Sequence, residues 1–323
     1  MRVLVTGGCG FVGSAVVRLA VERGDQVLNL DRRRRSNPTP ALTPITAREG
    51  YARLETDVGD KPMMRAIIRD FAPDTVIHLA ASPESQPETL VESEMGIANS
   101  ILEASRSYLG TLSGERRDRF RLVHVERAES DFPRVPTQGQ AARAAGAALM
   151  GLWSRACGIP LVTGVAGDAF GPWQSQASFM ARLVTSLLHD QPVVIANAGE
   201  DVRDWLPIRD LATGLLQAAE TAPAMVRIDF SVGAERRDID VAESICALLD
   251  ERAPRMTGPW MDLVSCEGDA AMATLGPMLD TSEAERDLNW RPQGFHTGLD
   301  RLLTWALASR AASRAKALPI AAE

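Results

Sequence analysis

Three glycines near the start of the chain, Gly7, Gly10 and Gly13, have the spacing of a phosphate-binding loop. They follow the apolar run 3–5 and precede apolar residues at helical spacing. The first glycine allows a tight turn, the second lets the backbone approach a pyrophosphate, and the third lets the helix pack close to the strand. A second apolar run ends in Asp31, whose carboxylate can bond two ribose hydroxyls. These residues together predict a dinucleotide site.

The elements that would position this site alternate between strand-like apolar runs and segments of helical period. Strands are predicted near 2–6, 26–30, 52–55, 74–79, 119–125 and 160–165, and helices near 11–24, 60–71, 90–108 and 138–157. This alternation predicts an α/β fold with a Rossmann-like, doubly wound parallel sheet.

The rhythm is looser after residue 165, where helices are predicted near 177–190, 208–220, 238–250 and 295–308. We expect residues 1–165 to form the dinucleotide-binding domain, with later segments, roughly 204–235, interleaved with it. Residues 166–323 would form mainly a smaller C-terminal substrate-binding lobe. Its last residues, 309–323, are expected to be a frayed helix and tail.

Composition excludes several classes of protein. The chain has 323 residues and a formal net charge of -7, which argues against general binding to nucleic acid. Its four cysteines show no C-x-x-C spacing, so neither a metal site nor a disulfide framework is expected. No uncharged apolar run approaches the ~18 residues of a membrane span, and the N-terminal run lacks the form of a signal peptide. We therefore expect a cytoplasmic protein with no membrane partner.

Short motifs occur along almost the whole chain. They are T-G-G-C-G-F-V-G at 6–13, D at 31, D-V at 57–58, H-L-A-A at 78–81, G-I-P at 158–160, F-G-P at 170–172, G-E-D-V-R-D-W at 199–205, D-T-S at 280–282 and L-N-W-R-P at 288–292. Together they resemble the motifs of extended short-chain dehydrogenase/reductases of the NAD-dependent nucleotide-sugar epimerase and dehydratase type. The family carries many chemistries on one fold, so the resemblance is more specific for the fold than for the reaction.

The resemblance also implies which residues contact the cofactor. These are Gly7, Gly10, Phe11, Val12, Gly13, Asp31, Asp57, Val58, Leu79, Ala80 and Ala81. NAD is the expected cofactor rather than NADP, because Asp31 would repel a 2′-phosphate. The arginine run 32–35 is interpreted as a solvated face, with a clamp on that phosphate as its alternative role.

The usual catalytic pair of the family is missing. Members carry a tyrosine and, four residues later, a lysine on one helix face, where the lysine lowers the pKa of the phenol and holds the nicotinamide ribose. Registered on Gly158, this chain has Gly139 and Arg143 at those positions. No lysine anywhere in the chain follows a tyrosine by four residues. Glycine has no proton to transfer and arginine is not deprotonated, so hydride transfer by the ordinary route is not expected.

Two charged residues are candidates for the missing chemistry. Glu126 follows the fifth apolar run, where members carry Ser or Thr, and is predicted as a general base. Its alternative interpretation is an ion pair with Arg127 or Arg143. Arg143 is predicted to donate to the cofactor ribose, or else to pair with Glu126 or Asp168. His78 and His124 are interpreted as core histidines.

Two further residues are assigned to the substrate. The guanidinium of Arg203 lies in the family's diphosphate-binding segment and suits that group. Its alternative is a pair with Asp204 or Asp210. Asp168 stands where members carry asparagine, and its charge would repel a diphosphate.

Three functions remain open from the sequence. The first is an NAD-binding enzyme that acts on a nucleotide-linked hexose or a specialised metabolite through non-standard groups such as Glu126. The second is a catalytically inactive cofactor-binding partner of an active homologue, and the third is redox-neutral chemistry on a non-sugar ligand. The resemblance further implies a homodimer built on the helices near 90–108 and 138–157.

Overall fold

The computed structural model describes residues 1–32, 40–82, 87–128 and 137–317. The strands of these residues are β1 (Arg2–Thr6), β2 (Gln26–Asp31), β3 (Tyr51–Glu55), β4 (Thr75–His78), β5 (Arg121–Arg127), β6 (Leu161–Ala166), β7 (Asp168–Phe170), β8 (Val193–Ile195), β9 (Val202–Pro207), β10 (Val226–Phe230), β11 (Glu235–Arg237) and β12 (Val264–Cys266). The α-helices are α1 (Phe11–Glu22), α2 (Lys61–Phe71), α3 (Pro87–Leu109), α4 (Gly114–Arg119), α5 (Gln138–Cys157), α6 (Phe179–Leu188), α7 (Ile208–Thr221), α8 (Asp238–Arg252), α9 (Ser282–Leu288) and α10 (Phe295–Ala317).

The main sheet has seven strands in the order β10-β6-β5-β4-β1-β2-β3. Every pair in it is parallel. Thr6 lies in register with Leu30 on one side and His78 on the other, so β1, β2 and β4 end at the same edge. The strand order reverses between β1 and β4, and ligands of open α/β sheets bind at such a point, beyond the carboxyl ends of the strands.

Helices cover both faces of the main sheet. This covering is required because successive apolar side chains of β1 point to opposite faces. Val3 and Val5 pack with α1 and α7, whereas Leu4 packs with α2, α3 and α5 on the opposite face. Side chains buried on both faces give the near-continuous apolar runs that are typical of parallel strands. The predicted doubly wound fold is confirmed.

A smaller lobe has its own apolar core around α6, α8 and α10. Two small sheets, β11-β9-β7 and β12-β8, belong to this half of the chain. The chain returns from β9 into α7 and β10, which both join the main sheet layer. The division at residue 165 with an interleaved segment stays a prediction.

Several elements differ from the sequence prediction. The strands β7 to β12 and the helices α4 and α9 were not predicted. β10 is a five-residue edge strand in which the buried Ile228 lies between the exposed Arg227 and the half-buried Asp229, α4 has no buried residue, and α9 has only seven residues. Residues 309–317, expected to fray, continue α10, and 318–323 lie outside the described residues. No helix of the described residues is long and apolar enough to cross a bilayer.

Candidate active site

The glycine loop connects β1 to α1 in a conformation that requires glycine. Gly7 has a φ of 74°, and a Cβ there would lie 2.7 Å from the backbone nitrogen of Ala80, just beyond β4. A Cβ on Gly13 would lie 2.2 Å from the carbonyl oxygen of Gly7. The loop is fixed to β2 by a 2.8 Å hydrogen bond from the Gly7 N–H to the Leu30 carbonyl. Side chains are therefore excluded where the backbone segments approach one another.

The first turn of α1 offers backbone donors to a ligand. Among the described residues, none accepts a hydrogen bond from the N–H groups of Phe11, Val12 or Gly13. Gly10 is the N-cap without a side-chain cap, and no acidic residue lies in that turn. Free N–H groups at a helix N-terminus attract anions. The residues present therefore fit the pyrophosphate of a dinucleotide.

Asp31 lies beside this loop at the end of β2. Its Oδ2 accepts a 2.8 Å hydrogen bond from the backbone N–H of Cys9, which fixes the carboxylate next to the glycine loop. This hydrogen bond leaves the other oxygen, Oδ1, for a ribose hydroxyl.

Asp57 and Val58 follow β3 one strand further out. Asp57 accepts hydrogen bonds of 2.9 and 3.0 Å from Nη2 of Arg32, and Val58 is buried. Arg32 is thus neutralised by a carboxylate, which disfavours its alternative role as a phosphate clamp. Residues 33–35 of the arginine run lie outside the described residues.

A cavity of about 980 Å³ lies over the carboxyl edge of the main sheet. It brings together most of the residues that the sequence assigned to one site. They are Gly7, Gly10, Phe11, Val12, Gly13, Leu79, Ala80, Ala81, Glu126, Arg143, Asp168 and Arg203. Asp31, Asp57 and Val58 are not part of its lining and lie beyond the glycine loop, at the ends of β2 and β3.

Glu126 is half-buried in the cavity wall near the end of β5. Neighbouring side chains of a strand point to opposite faces, so Glu126 and Arg127 diverge, and Arg127 pairs with Asp168 instead. Among the described groups, Glu126 has no ion-pair partner, so the expected pair with Arg127 or Arg143 does not form. Burial raises the pKa of its carboxyl, against a smaller lowering by Arg227. A carboxyl with a raised pKa is better matched to proton transfer near neutral pH.

Arg143 lies on the exposed side of α5 and folds back over Gly139. Its Nη1 lies 3.5 Å from the point where a Cβ of Gly139 would stand. The guanidinium therefore occupies space next to the position of the missing tyrosine. It forms no ion pair with Glu126 or Asp168, and among the described residues no carboxylate pairs with it. Thr137 and Gln140 form a capping box that fixes the start of this helix.

Two histidines stack beneath the cavity with ring centroids 5.5 Å apart. Nδ1 of His78 lies 2.7 Å from the hydroxyl oxygen of Thr6. Burial lowers the pKa of His78 to about 3 and that of His124 to about 4. Both rings are therefore neutral at physiological pH. His78 is buried, which supports its interpretation as a core histidine, whereas His124 is only partly buried and lines the cavity.

Arg203 lies in the cavity wall on β9 and faces three carboxylates. Its Nη2 lies 3.1 Å from Oδ2 of Asp238 and 3.8 Å from Oδ2 of Asp201, and its Nη1 lies 4.0 Å from Oδ2 of Asp168. Burial raises the pKa of Asp238 to about 6, although Arg203 lowers it. The expected partners Asp204 and Asp210 do not pair with Arg203.

Both of those expected partners have other hydrogen bonds. Asp204 accepts from the hydroxyl of Ser231, and Asp210 accepts from the backbone N–H of Gln293. Strand alternation separates Arg203 from Asp204, as it does Glu126 from Arg127.

The sequence did not predict that Arg127, Asp201 and Asp238 lie near Arg203. From the sequence, Arg127 is expected only as a partner of Glu126, and Asp201 only as part of the segment 199–205. The three residues belong to β5, the turn before β9 and the start of α8, which only the tertiary fold brings together. The one indication in the sequence was that the segment 199–205, which resembles a diphosphate site, contains three acidic residues.

The fold and this edge of the sheet define a class of protein. A parallel, doubly wound sheet with a glycine-bearing helix start at its switch point is a dinucleotide-binding α/β protein. The chain belongs to the NAD dependent epimerase/dehydratase family, whose model matches residues 3–233. The resemblance drawn from the motifs is thereby confirmed.

Relatives of known name agree with this assignment. The chain is 30% identical over 330 residues to a probable dTDP-glucose 4,6-dehydratase of Sinorhizobium fredii, covering 95% of this chain and 93% of the relative. It is 28% identical to a dTDP-glucose 4,6-dehydratase of Neisseria gonorrhoeae, covering 95% of each.

Two solved structures are similar in fold along nearly the whole chain. A dTDP-glucose 4,6-dehydratase from Bacillus anthracis in complex with NAD has a TM-score of 0.78 at 17% identity, covering 96% of this chain and 97% of that one. A UDP-glucose 4-epimerase from Thermotoga maritima with UDP-glucose has a TM-score of 0.76 at 20% identity, covering 96% and 99%.

Proposed function

We propose that the protein binds NAD along the carboxyl edge of the main sheet and acts on a nucleotide-linked sugar, with Glu126 as the proton-transferring group. The observation that carries this proposal is that one cavity contains the glycine loop and a half-buried glutamate with no ion-pair partner among the described residues. The names of the relatives, dTDP-glucose 4,6-dehydratases, support the substrate class. NAD bound in solved relatives supports the cofactor.

Each end of the cofactor has residues that fit it. The N–H groups of Phe11, Val12 and Gly13 would bind the pyrophosphate, and Asp31 would accept from the adenosine ribose. The charge of Asp31 favours NAD over NADP. Arg143, near the position of the family lysine, would donate to the nicotinamide ribose. When bound, NAD would supply a hydride acceptor.

Glu126 would do the work that the tyrosine does in other members. Its ionised form accepts a proton from a sugar hydroxyl, and its protonated form returns one. Because burial raises its pKa above the ordinary value of 4.5, turnover should rise with pH along a limb centred above pH 4.5. The shorter side chain of Glu126→Asp should shift this limb and retain part of the turnover.

The test compares wild type with Glu126→Gln on a panel of dTDP- and UDP-hexoses, with products identified by mass spectrometry. We expect a dehydrated or epimerised product from the wild type, and a loss of about 100-fold or more in the variant, as is typical of a general base. NAD affinity should be unchanged. Equal turnover by the variant would exclude Glu126, and no turnover by NAD-loaded wild type across the panel would exclude the proposed enzyme.

A second function is favoured by one observation. Gly139 and Arg143 leave the usual catalytic positions without a phenol or an amine, as in a cofactor-binding subunit that regulates an active homologue. Such a protein would co-purify with that homologue, bind NAD and turn over no substrate alone. An active homodimer would contradict this alternative.

A homodimer is proposed on α3 and α5, which pack side by side on one face of the main sheet. They carry exposed apolar side chains, with Val91 47%, Leu152 65% and Trp153 40% exposed. We propose that these side chains form one patch, since contiguous exposed apolar patches mark protein interfaces. A second copy of the chain would bury them.

A further inference from the structure

Asp168 lies between two arginines in the wall of the cavity. Nη2 of Arg127 donates a hydrogen bond to Asp168 Oδ1, and Nη1 of Arg203 lies 4.0 Å from Oδ2. Each carboxylate oxygen thus faces a different guanidinium, and all three residues line the cavity. This is the arrangement in which two arginines hold an external anion such as a phosphate, with a side chain of the protein in the position of the anion.

The backbone places the three side chains together. Arg127 lies in register with Ala166 at the end of β6, so Asp168 follows two residues later along the chain. Asp168 is in register with Trp205, which brings it beside Arg203 on the neighbouring strand. The three-residue cluster therefore forms where the main sheet meets the smaller lobe.

Charge at this point disfavours an incoming diphosphate. Arg203 already has Asp238, which is 2% exposed, at 3.1 Å and Asp201 at 3.8 Å. Asp168 is therefore a third carboxylate on Arg203. Two guanidinium groups against three carboxylates leave a net charge of -1 before any ligand binds.

The guanidinium of Arg203 is held in place by its other carboxylates and is not fully satisfied. Its Nε is buried and, among the described residues, has no hydrogen-bond acceptor. Asp238 and Asp201 would keep the guanidinium in place when Asp168 moves away.

We propose that Asp168 is a built-in competitor for the anionic group of the substrate. This inference rests on the proposed function and deepens it. A diphosphate binds only by displacing the carboxylate of Asp168 from Arg127 and Arg203. Asp168 thereby lowers the affinity of this end of the cavity for nucleotide diphosphates, relative to ligands without that charged group.

The test removes the charge of Asp168 and keeps its shape. The protein is saturated with NAD, so that the glycine loop is filled, and titrated calorimetrically with dTDP. Asp168→Asn should bind dTDP about tenfold more tightly than wild type, since one repulsive charge is lost and Arg127 and Arg203 no longer face the carboxylate of Asp168. Asp168→Glu keeps the charge and should show no gain.

Matched controls separate this effect from a general change in charge. Asp300→Asn removes a carboxylate that pairs with Arg252 outside the cavity, and its dTDP affinity should equal that of wild type. Thymidine, which has no phosphate, should bind Asp168→Asn and wild type equally. Because Arg127 is 73% exposed, its pair with Asp168 adds little stability, and the melting temperature should confirm that the variant is folded.

The outcomes distinguish this inference from the proposed function. Equal or weaker dTDP binding by folded Asp168→Asn would overturn the role of Asp168, while turnover of nucleotide sugars by wild type would leave the proposed function standing. Tighter dTDP binding by Asp168→Asn, without turnover of any nucleotide sugar by wild type, would support the role of Asp168 and refute the proposed enzymatic function. If neither wild type nor Asp168→Asn binds dTDP, the role of Asp168 is refuted, and turnover of the nucleotide-hexose panel alone decides the proposed function.

Discussion

Gly13→Ala is the most direct perturbation of the glycine loop. A Cβ at this position would lie 2.2 Å from the Gly7 carbonyl oxygen and 2.7 Å from the Cα of Gly8. Relief of these contacts requires the start of α1 and the loop to separate by about 1 Å. Because a hydrogen bond of about 2.9 Å is lost beyond about 3.5 Å, at least one N–H contact to a pyrophosphate would break.

The magnitude follows from these contacts. A hydrogen bond to a charged group contributes about 1.5–3 kcal/mol, so NAD should bind at least about tenfold more weakly. Overpacking costs about 1–3 kcal/mol, and alanine in a helix recovers about 1 kcal/mol relative to glycine. The variant should therefore lose up to about 2 kcal/mol of unfolding free energy.

The matched control is Gly96→Ala in α3, where a Cβ meets no atom within 4 Å. Its unfolding free energy should rise by up to about 1 kcal/mol, because only the helix propensity changes. Urea denaturation measures both variants, and fluorescence titration with NAD measures affinity. The reasoning is refuted if Gly13→Ala is as stable as Gly96→Ala and binds NAD like wild type.

Two further predictions concern pH and assembly. Native His78 has a pKa of about 3, below the ordinary 6.5. Between these two pH values the imidazole is protonated in the unfolded chain and neutral in the folded chain. The free energy of unfolding is therefore highest above pH 6.5 and decreases as the pH falls. From pH 7 to pH 5 the wild type should lose about 2 kcal/mol through this residue, and urea titrations of His78→Asn should show a smaller loss; an equal loss would contradict the assignment. Leu152→Glu should convert the dimer to monomers, as measured by light scattering. Met256 is fully exposed and lies outside the helices, so Met256→Glu should leave the dimer intact. A monomeric wild type would rule out the dimer.

The strands and helices of the main sheet could be predicted because both faces of each strand are covered. Runs such as Val3-Leu4-Val5 are continuous only when buried on both sides. β10 escaped prediction because it is an edge strand, and its charged residues Arg227 and Asp229 interrupt the apolar run. Four of the five strands in the small sheets have three residues, too short for a period to be recognised, and in the fifth, β9, the charged residues Arg203 and Asp204 interrupt the apolar run.

The site could be predicted where it depends on local backbone and not where it depends on ion pairing. Gly7 and Gly13 are required by contacts within one loop, so their spacing was informative. The partner of Arg203 is Asp238, 35 residues away on another element, and no sequence pattern links the two. Pairs between chain neighbours, such as Glu126 with Arg127, were wrong because strand alternation turns adjacent side chains apart.

The proposed function requires that NAD bound in this cavity takes part in a reaction that depends on Glu126. The measurement is to incubate NAD-loaded wild type and Glu126→Gln with nucleotide hexoses and follow both the absorbance of reduced cofactor and the sugar product. We expect both proteins to hold NAD equally, and only the wild type to change the sugar. The proposed enzyme would be contradicted if wild type binds NAD and leaves every sugar unchanged. The role of Glu126 would be contradicted if Glu126→Gln converts the sugar as fast as wild type.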